Sequence, residues 1–227
     1  MGRRGPLPGT HHGQMARANR VREILACVHW DGVYDRTSAT AVSWYQPEPT
    51  MSLELLEVTD MGAGAHVVDV GGGASVLVDR LLDRGVDITV VDVAESALRT
   101  SAERLGQRAE QVMWIRQDLL GWTPSRQYDV WHDRAVFHFL TDAADRHRYL
   151  RVLNQALRPG GALVIGTFAA DGPEMCSGLP VARYSPHQLA VQFPDFEVTA
   201  SRREDHHTPW DSVQPFTWLV LRKSDLS

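Results

Sequence analysis

Residues 67–75 read VVDVGGGAS, and this stretch decides the fold of the chain. An apolar run leads into three glycines and then into a segment whose apolar residues recur at helical spacing. A second apolar run, residues 88–91, ends at Asp92. Glycines let the backbone approach a ligand closely, and a carboxylate after the second strand suits the hydroxyls of a ribose. The sequence therefore predicts a strand–helix–strand unit that binds a nucleoside.

The spacing of the glycines argues against a dinucleotide as that ligand. The G-x-G-x-x-G pattern, read from Gly71, requires glycine at position 76, where this chain has valine. Asp69, which precedes the first glycine by two positions, favours a ligand with a positively charged group and no phosphate. S-adenosylmethionine is such a ligand, since it carries an ammonium, a sulfonium and a ribose.

With these motifs the chain resembles the class I S-adenosylmethionine-dependent methyltransferases, over roughly residues 60 to 222. Further motifs follow in the family's order: QDL at residues 117–119, the strand-like YDVWHD at residues 128–133, and LRPGGALVI at residues 157–165. The resemblance implies an α/β fold with a doubly wound, Rossmann-like seven-stranded sheet, mainly parallel with an antiparallel last strand. It also implies S-adenosylmethionine as cofactor and S-adenosylhomocysteine as product.

The pattern of apolar residues places the helices and divides the chain. A helix is expected over residues 15–30, followed by an aromatic, turn-rich stretch to residue 49. Thr141 is expected to cap the helix before strand five, and Ser185 to open another helix with a capping box. We expect a disordered tail over residues 1–20, a helical and aromatic lid over residues 21–60, and the methyltransferase domain over residues 61–227.

The charge, the apolar stretches and the cysteine count of the sequence argue against several classes of function. The net charge of −5 over 227 residues does not provide the basic face that general nucleic-acid binding needs. The sequence shows no apolar stretch of membrane-spanning length and no apolar run of the kind a signal peptide requires. Two cysteines are too few for a disulfide framework, so a reducing cytoplasm is expected. We expect a cytoplasmic enzyme with a small-molecule acceptor and no nucleic-acid or membrane partner.

Candidate cofactor residues follow the strands, because a ligand lies across the carboxyl ends of an open parallel sheet. Asp69 and the glycines after it are expected near the methionine half of the cofactor, and Asp92 near its ribose. Asp118 either accepts from the adenine amino group or caps its own loop. The candidate cofactor residues are Asp69, Gly71, Gly72, Gly73, Asp92, Val93, Asp118, Leu119 and His132.

The candidate catalytic residues are Asp133 and Arg134, which end the fourth strand. The resemblance places the meeting of acceptor and methyl group here. A buried arginine needs a partner, and Asp133 is the expected one, in a pair that is structural, functional or both. His132 and His138 invite a general-base or metal interpretation, but their apolar neighbours favour structural histidines, and no metal is expected. Candidate lid and substrate-wall residues are Trp30, Trp44, Tyr45, Phe137 and His138.

Two short sequence matches indicate the chemical class of the acceptor. Residues 131–135, WHDRA, are similar to the W-D-R-G stretch of thiopurine methyltransferases and their thiol- and halide-methylating relatives. Residues 171–174 resemble that group's G-P-P loop, with Glu174 in place of the second proline. This resemblance implies that Arg134 positions the substrate. A soft nucleophile such as a thiol or hydrosulfide is expected, because a thiol already ionises in part near neutral pH and needs no dedicated base.

Other functions stay open at this point. Protein lysine methyltransferases also carry a tryptophan-rich N-terminal stretch and a glycine loop comparable to residues 71–75, but residues 133–135 only partly match their aspartate-lysine-glycine sequence. A small-molecule O- or N-methyltransferase is another alternative, and so is a protein that binds the cofactor without catalysis. The sequence does not identify the acceptor molecule, the acceptor atom or the oligomeric state.

Overall fold

The computed structural model describes residues 25–225 and has a seven-stranded sheet at its centre. The strands are β1 (His66–Val70), β2 (Asp87–Asp92), β3 (Val112–Arg116), β4 (Tyr128–Arg134), β5 (Leu157–Phe168), β6 (Met175–Cys176), β7 (Leu179–Pro180), β8 (Phe196–His207) and β9 (Val213–Lys223), of which β6 and β7 form a separate ribbon. Residues 25–36 are helical and are called α1. The other helices are α2 (Thr50–Glu57), α3 (Leu77–Asp83), α4 (Glu95–Leu105), α5 (Ala143–Ala156) and α6 (Pro186–Ala190).

The strand order in the main sheet is β3-β2-β1-β4-β5-β9-β8. The strands from β3 to β5 pair in parallel, whereas β9 runs antiparallel to both β5 and β8. The chain winds outward from β1 to β3 and then returns to β4 on the other side of β1. Such a reversal opens a crevice at the carboxyl ends of β1 and β4. The predicted doubly wound, Rossmann-like sheet with an antiparallel last strand is therefore confirmed.

Apolar side chains cover both faces of this sheet. In β1, Val67 belongs to a core that includes α2, α3 and α4, whereas Val68 and Val70 belong to a core that includes α5 and α6. Neighbouring strand residues point to opposite faces, and a parallel sheet is buried on both. The nearly continuous apolar runs of the central strands follow from this double burial.

Two of the predicted helix caps can be compared with the structure. Ser185 opens α6 with the predicted capping box: its Oγ accepts from Gln188 N at 3.3 Å, and Gln188 Oε1 accepts from Ser185 N at 2.9 Å. The prediction that Thr141 caps α5 is wrong, because Asp142 is the cap and accepts from Ala144 N at 2.7 Å. Both residue types can cap a helix, and the carboxylate also interacts favourably with the helix dipole.

The first helix continues past Trp30 to residue 36, so the prediction of turns over residues 31–36 is wrong. Asp31 accepts from Ser96 N at 3.0 Å and from Ser96 Oγ at 2.9 Å, in the first turn of α4. This long-range contact caps α4 and holds α1 against it. The predicted tail over residues 1–20 and the predicted helix start at Met15 lie outside the described residues. Within residues 25–225, no helix has the length and apolar character to cross a membrane.

Candidate cofactor and acceptor site

The glycine loop, residues 71–73, lies directly after β1. Gly71 has φ of 65° and Gly73 has φ of 39°, in the left-handed region that favours glycine. A side chain at Gly71 would collide with Val136, and a Cβ at Gly73 would lie 2.9 Å from Asp92 Oδ2. The loop therefore presents bare backbone at the crevice, as close approach to a ligand requires.

Asp69 forms the floor beneath this loop. Its Oδ1 lies 2.7 Å from His132 Nδ1, and His132 Nε2 lies 2.9 Å from Ser52 Oγ. All three side chains are buried, so the chain Ser52–His132–Asp69 ties α2, β4 and β1 together. Both ring nitrogens of His132 have partners, as the structural interpretation of this histidine predicted. His132 also lines a small cavity with Asp69 and Ser52.

Asp92 ends β2 beside the glycine loop. Its Oδ1 accepts from Ala94 N at 2.8 Å. Burial raises the pKa of Asp92 to about 7, with the hydrogen bond from Ala94 opposing the shift and the nearby Asp69 carboxylate adding to it. The carboxyl group therefore lies in a dry place where hydroxyl donors from a ligand would stabilise its charged form.

Asp118 follows β3 and caps a short 3-10 turn. Its Oδ1 accepts from Leu120 N at 3.0 Å, as the loop-capping alternative predicted. Asp118, Val93 and Leu119 also line a large cavity next to Asp92. Capping and ligand contact are thus compatible for this residue.

Two cavities meet at the glycine loop. The smaller has a volume of about 60 Å³ and polar and apolar walls in about equal parts, and the larger has a volume of about 350 Å³ and mostly apolar walls. The volume and apolar lining of the larger cavity are those of a small-molecule site, whereas the smaller cavity alone would hold only a part of a ligand. Four residues line both cavities and mark the junction between them: Tyr34, Trp44, Gly71 and Arg134.

Arg134 extends from the end of β4 into this junction. Its Nη1 donates to the Trp44 carbonyl at 2.9 Å, and its Cζ lies 5.0 Å from the centroid of the Phe216 ring. Its Nε and Nη2 are buried and have no partner. Burial lowers the pKa of Arg134, and the charge of nearby Glu204 opposes this shift. The structure thus holds a desolvated cation with two free donors beside the cavities.

The predicted ion pair between Asp133 and Arg134 is wrong. Asp133 accepts from Tyr149 Oη at 2.7 Å and from Val136 N at 2.9 Å, within the core that contains α5. Burial raises the pKa of Asp133 to about 6, although these hydrogen bonds oppose the shift. Adjacent residues of a strand point to opposite faces, so the two side chains diverge. Asp133 lines neither cavity and fixes the turn after β4 instead.

The predicted substrate wall is partly wrong as well. Phe137 packs against Tyr149 and Phe193 in the core, and His138 packs between Phe139 and Phe168. Neither Phe137 nor His138 lines the two cavities, because the 3-10 turn at residues 137–139 rotates both inward. Burial lowers the pKa of His138 to about 3, so this imidazole is neutral. From this turn, Phe139 reaches the larger cavity.

The cover segment, residues 25–49, lies over both cavities. Trp30 lines the larger cavity, Tyr45 lines the smaller, and Trp44 lines both. The ring centroids of Trp30 and Trp44 are 5.8 Å apart. The C-terminal part of the segment is anchored from β8, because His206 Nε2 lies 2.7 Å from the Ser43 carbonyl and Gln46 Nε2 donates to Glu204 Oε1 at 2.8 Å.

Tyr34 is the main site residue that the sequence analysis missed. Its hydroxyl accepts from Trp44 Nε1 at 3.1 Å and lies close to Gly73 and Asp92. Burial and the Asp92 carboxylate raise the pKa of Tyr34. The spacing of four residues between Trp30 and Tyr34 would have placed both on one helix face, had the helix been extended past Trp30.

Residues from the loop after β5 and from the start of α5 also line the larger cavity. Cys176 and Leu179 close one side, and burial raises the pKa of the Cys176 thiol to about 11. Asp145 lines the cavity from α5 and pairs with Arg148 at 3.0 Å. Within residues 25–225, no cluster of three histidine, cysteine, aspartate or glutamate side chains could hold a metal ion.

Comparisons with known proteins agree with this geometry. Residues 68–163 match a family model described as a methyltransferase domain. The chain is 24% identical to the ubiquinone/menaquinone biosynthesis C-methyltransferase UbiE of Paracoccus denitrificans, over 92% of this chain and 77% of that protein. It is 26% identical to nodulation protein S of Bradyrhizobium diazoefficiens, over 47% of this chain and 50% of that protein.

A solved structure shares the fold. It is the Burkholderia thailandensis 1,6-didemethyltoxoflavin N1-methyltransferase with its substrate and S-adenosylhomocysteine bound. The TM-score is 0.66 at 21% identity, and the match covers 98% of this chain and 94% of the other. The likeness thus extends over the cover segment and the sheet together.

Proposed function

Since this chain is a class I S-adenosylmethionine-dependent methyltransferase, we propose that it methylates a small molecule at a soft nucleophile, a thiol or hydrosulfide sulfur. When bound, S-adenosylmethionine supplies a methyl group for direct displacement and becomes S-adenosylhomocysteine.

The residues at the junction fit the cofactor. A Cβ at Gly73 would lie 2.9 Å from Asp92 Oδ2, and a Cβ at Gly71 would collide with Val136, so the bare backbone at this end of the site depends on glycine. Asp92 is placed to accept from ribose hydroxyls, and Val93, Asp118 and Leu119 form the adenine side of the larger cavity. The remaining predicted contacts, Asp69, Gly72 and His132, line the smaller cavity and would face the methionine half.

The acceptor would occupy the rest of the larger cavity. Trp30, Phe139, Leu140 and Leu179 give this part an apolar wall, and this wall is the observation that carries the proposal. No histidine belongs to it among the described residues. The Cys176 thiol, with a pKa of about 11, is protonated at neutral pH and cannot act as a base. A sulfur acceptor suits such a wall because it ionises in part without a base, near its reference pKa of about 8.5.

The names of the relatives support a small molecule rather than a protein side chain as acceptor. UbiE is named for a C-methylation in ubiquinone and menaquinone biosynthesis, and the Burkholderia enzyme for N1-methylation of 1,6-didemethyltoxoflavin. The volume of about 350 Å³, shared here between adenosine and acceptor, leaves room for a compact molecule.

A second candidate is O- or N-methylation, and Asp145 is the observation that favours it. An amine or phenol acceptor generally needs a proton acceptor, and Asp145 is a carboxylate on the cavity wall. Its Oδ1 lies 3.0 Å from Arg148 Nη1. The two candidates therefore differ in whether turnover depends on Asp145.

An acceptor screen read by S-adenosylhomocysteine formation tests the proposal. It includes small thiols, hydrosulfide, phenols and small amines, with wild type, Asp145→Asn and the control Asp142→Asn. Turnover on a thiol or hydrosulfide that changes less than about threefold in Asp145→Asn supports the sulfur acceptor. Turnover confined to amines or phenols, with a loss of about 100-fold in Asp145→Asn alone, establishes the second candidate instead. Asp142 caps the same helix without lining either cavity, and asparagine keeps that cap.

A further inference from the structure

The guanidinium of Arg134 has one free edge. Its Nη1 is bound to the Trp44 carbonyl, whereas Nε and Nη2 are buried without partners. In the planar guanidinium, the Nε–H bond and one Nη2–H bond are parallel and form a fork. This fork matches the two oxygens of a carboxylate, and such bidentate pairs are among the strong hydrogen bonds in proteins.

The protein itself does not fill this edge. Glu204 is the carboxylate whose charge acts most strongly on Arg134, but its Oε1 accepts from Gln46 and its Oε2 from Trp218 Nε1, both at 2.8 Å. Asp133 faces the other side of the sheet, and Asp69 is bound to His132. A buried cation without a paired anion is strongly unfavourable. The free edge of Arg134 therefore indicates an anionic ligand.

The smaller cavity has the charge pattern of an amino-acid site. Arg134 is the only arginine or lysine among the described residues that line it, and Asp69 supplies negative charge on its floor. Both nitrogens of His132 are engaged, so the imidazole offers no donor to a ligand. Gln46, Ser52 and Ser75 are among the other polar residues of the lining. An α-amino acid carries one ammonium and one carboxylate, which this pair of opposite charges complements.

We propose that Arg134 binds the α-carboxylate of the cofactor's methionine half through its Nε–Nη2 edge, and that it does not serve as the anchor of an anionic acceptor. This inference rests on the proposed placement of the cofactor across the two cavities. Since Nη1 of the same guanidinium holds the Trp44 carbonyl, Arg134 also connects that carboxylate to the cover segment. Arg134 is a binding and positioning residue in this account.

Calorimetry with two nucleosides tests the assignment. S-adenosylhomocysteine has the amino-acid group, and 5′-deoxy-5′-methylthioadenosine lacks it but keeps the adenosine and the sulfur. Arg134→Met should weaken binding of S-adenosylhomocysteine by at least about 30-fold, because two charge-assisted hydrogen bonds are lost. Binding of methylthioadenosine should change less than about threefold. Arg134→Lys, which keeps the charge but not the fork, should lose about tenfold on S-adenosylhomocysteine.

Arg99→Met is the matched control, because Arg99 is an exposed residue of α4 that lines neither cavity. It should leave both affinities unchanged. An equal loss for both nucleosides in Arg134→Met would assign a purely structural role to Arg134. Unchanged affinity for S-adenosylhomocysteine with a raised acceptor KM would assign Arg134 to the acceptor. Either result overturns the inference.

Two further outcomes are also decisive. If Arg134→Met does not fold, the ratio of the two affinities in Arg134→Lys decides, and an unchanged ratio overturns the inference. If wild type binds neither nucleoside, the proposed function itself fails, and this result is distinct from a failure of the Arg134 assignment.

Discussion

The two cavities that meet at the glycine loop are built differently. The smaller is set by hydrogen bonds that cross the fold: Ser52–His132–Asp69 beneath it, and Arg134 to the Trp44 carbonyl above it. The larger is set mainly by apolar side chains from loops and helix ends, including Phe139 and Leu179.

This difference predicts which parts of the site tolerate substitution and which do not. A network of directional hydrogen bonds tolerates little change, since an unpaired buried polar group costs about 1–3 kcal/mol. Apolar walls on loops accept other side chains of similar volume more readily. We therefore expect cofactor recognition to depend on the smaller cavity, the glycine loop and the end of the larger cavity at Asp92. Acceptor choice should depend on the apolar wall at the other end of the larger cavity.

The largest effect should come from the glycine loop. Gly71→Ala forces a side chain onto a backbone with φ of 65° and against Val136. Strain and collision together should lower affinity for S-adenosylhomocysteine by about 100-fold or more. Gly62→Ala is the control, because a Cβ there has no neighbour within 4 Å. Normal calorimetric binding by Gly71→Ala would show that the loop does not form the cradle.

Asp92 should have the next largest effect, with a defined pH dependence. Asp92→Asn should weaken S-adenosylhomocysteine about 10- to 100-fold, because charged hydrogen bonds to the ribose contribute about 1.5–3 kcal/mol each. The ionised carboxylate is the better acceptor, and its pKa in the free protein is about 7. Wild-type affinity should thus fall as the pH decreases from 8 to 6, whereas the affinity of Asp92→Asn should stay flat. Parallel pH profiles for the two proteins would contradict the role of Asp92.

The same raised pKa has a consequence for stability. The folded protein holds the Asp92 proton more tightly than the unfolded chain, whose aspartates titrate near the reference value of about 3.9. The contribution of this carboxyl to stability is therefore fully present below that reference value and is lost as the pH rises through 7. Urea unfolding of the free protein should show this loss in wild type and not in Asp92→Asn.

Trp30 should have the smallest effect and should act on the acceptor alone. It belongs to the apolar wall of the larger cavity on which we propose the acceptor lies, so Trp30→Ala should raise the acceptor KM by about fivefold to tenfold. Affinity for S-adenosylhomocysteine should change less than about threefold. Trp210→Ala is the control, since Trp210 is 56% exposed on the β8–β9 turn. A larger loss of cofactor affinity than of acceptor affinity in Trp30→Ala would contradict the assignment of Trp30 to the acceptor.

The parts of this site that the sequence predicted are those that depend on local pattern. Asp69, the glycines and Asp92 sit at strand ends, and parallel strands bring their carboxyl ends to one edge. The Asp133–Arg134 pair failed because adjacent strand residues diverge, although period-two alternation was visible in the sequence. Tyr34 was missed because α1 was ended too early.

Other contacts had no local signal. Gln46 meets Glu204, and Arg134 meets the Trp44 carbonyl, across large separations in sequence. Such pairs are set by how the cover segment packs on β4 and β8. Neither the periodicity of a segment nor its composition specifies that packing, so the anchors of the cover segment could not be predicted from the sequence.

A crystal structure with S-adenosylhomocysteine tests the division of the two cavities most directly. We expect the ribose hydroxyls within hydrogen-bond distance of Asp92 and the amino-acid group in the smaller cavity between Asp69 and Arg134. An amino-acid group directed into the larger cavity, or a nucleoside bound away from the glycine loop, would contradict this expectation.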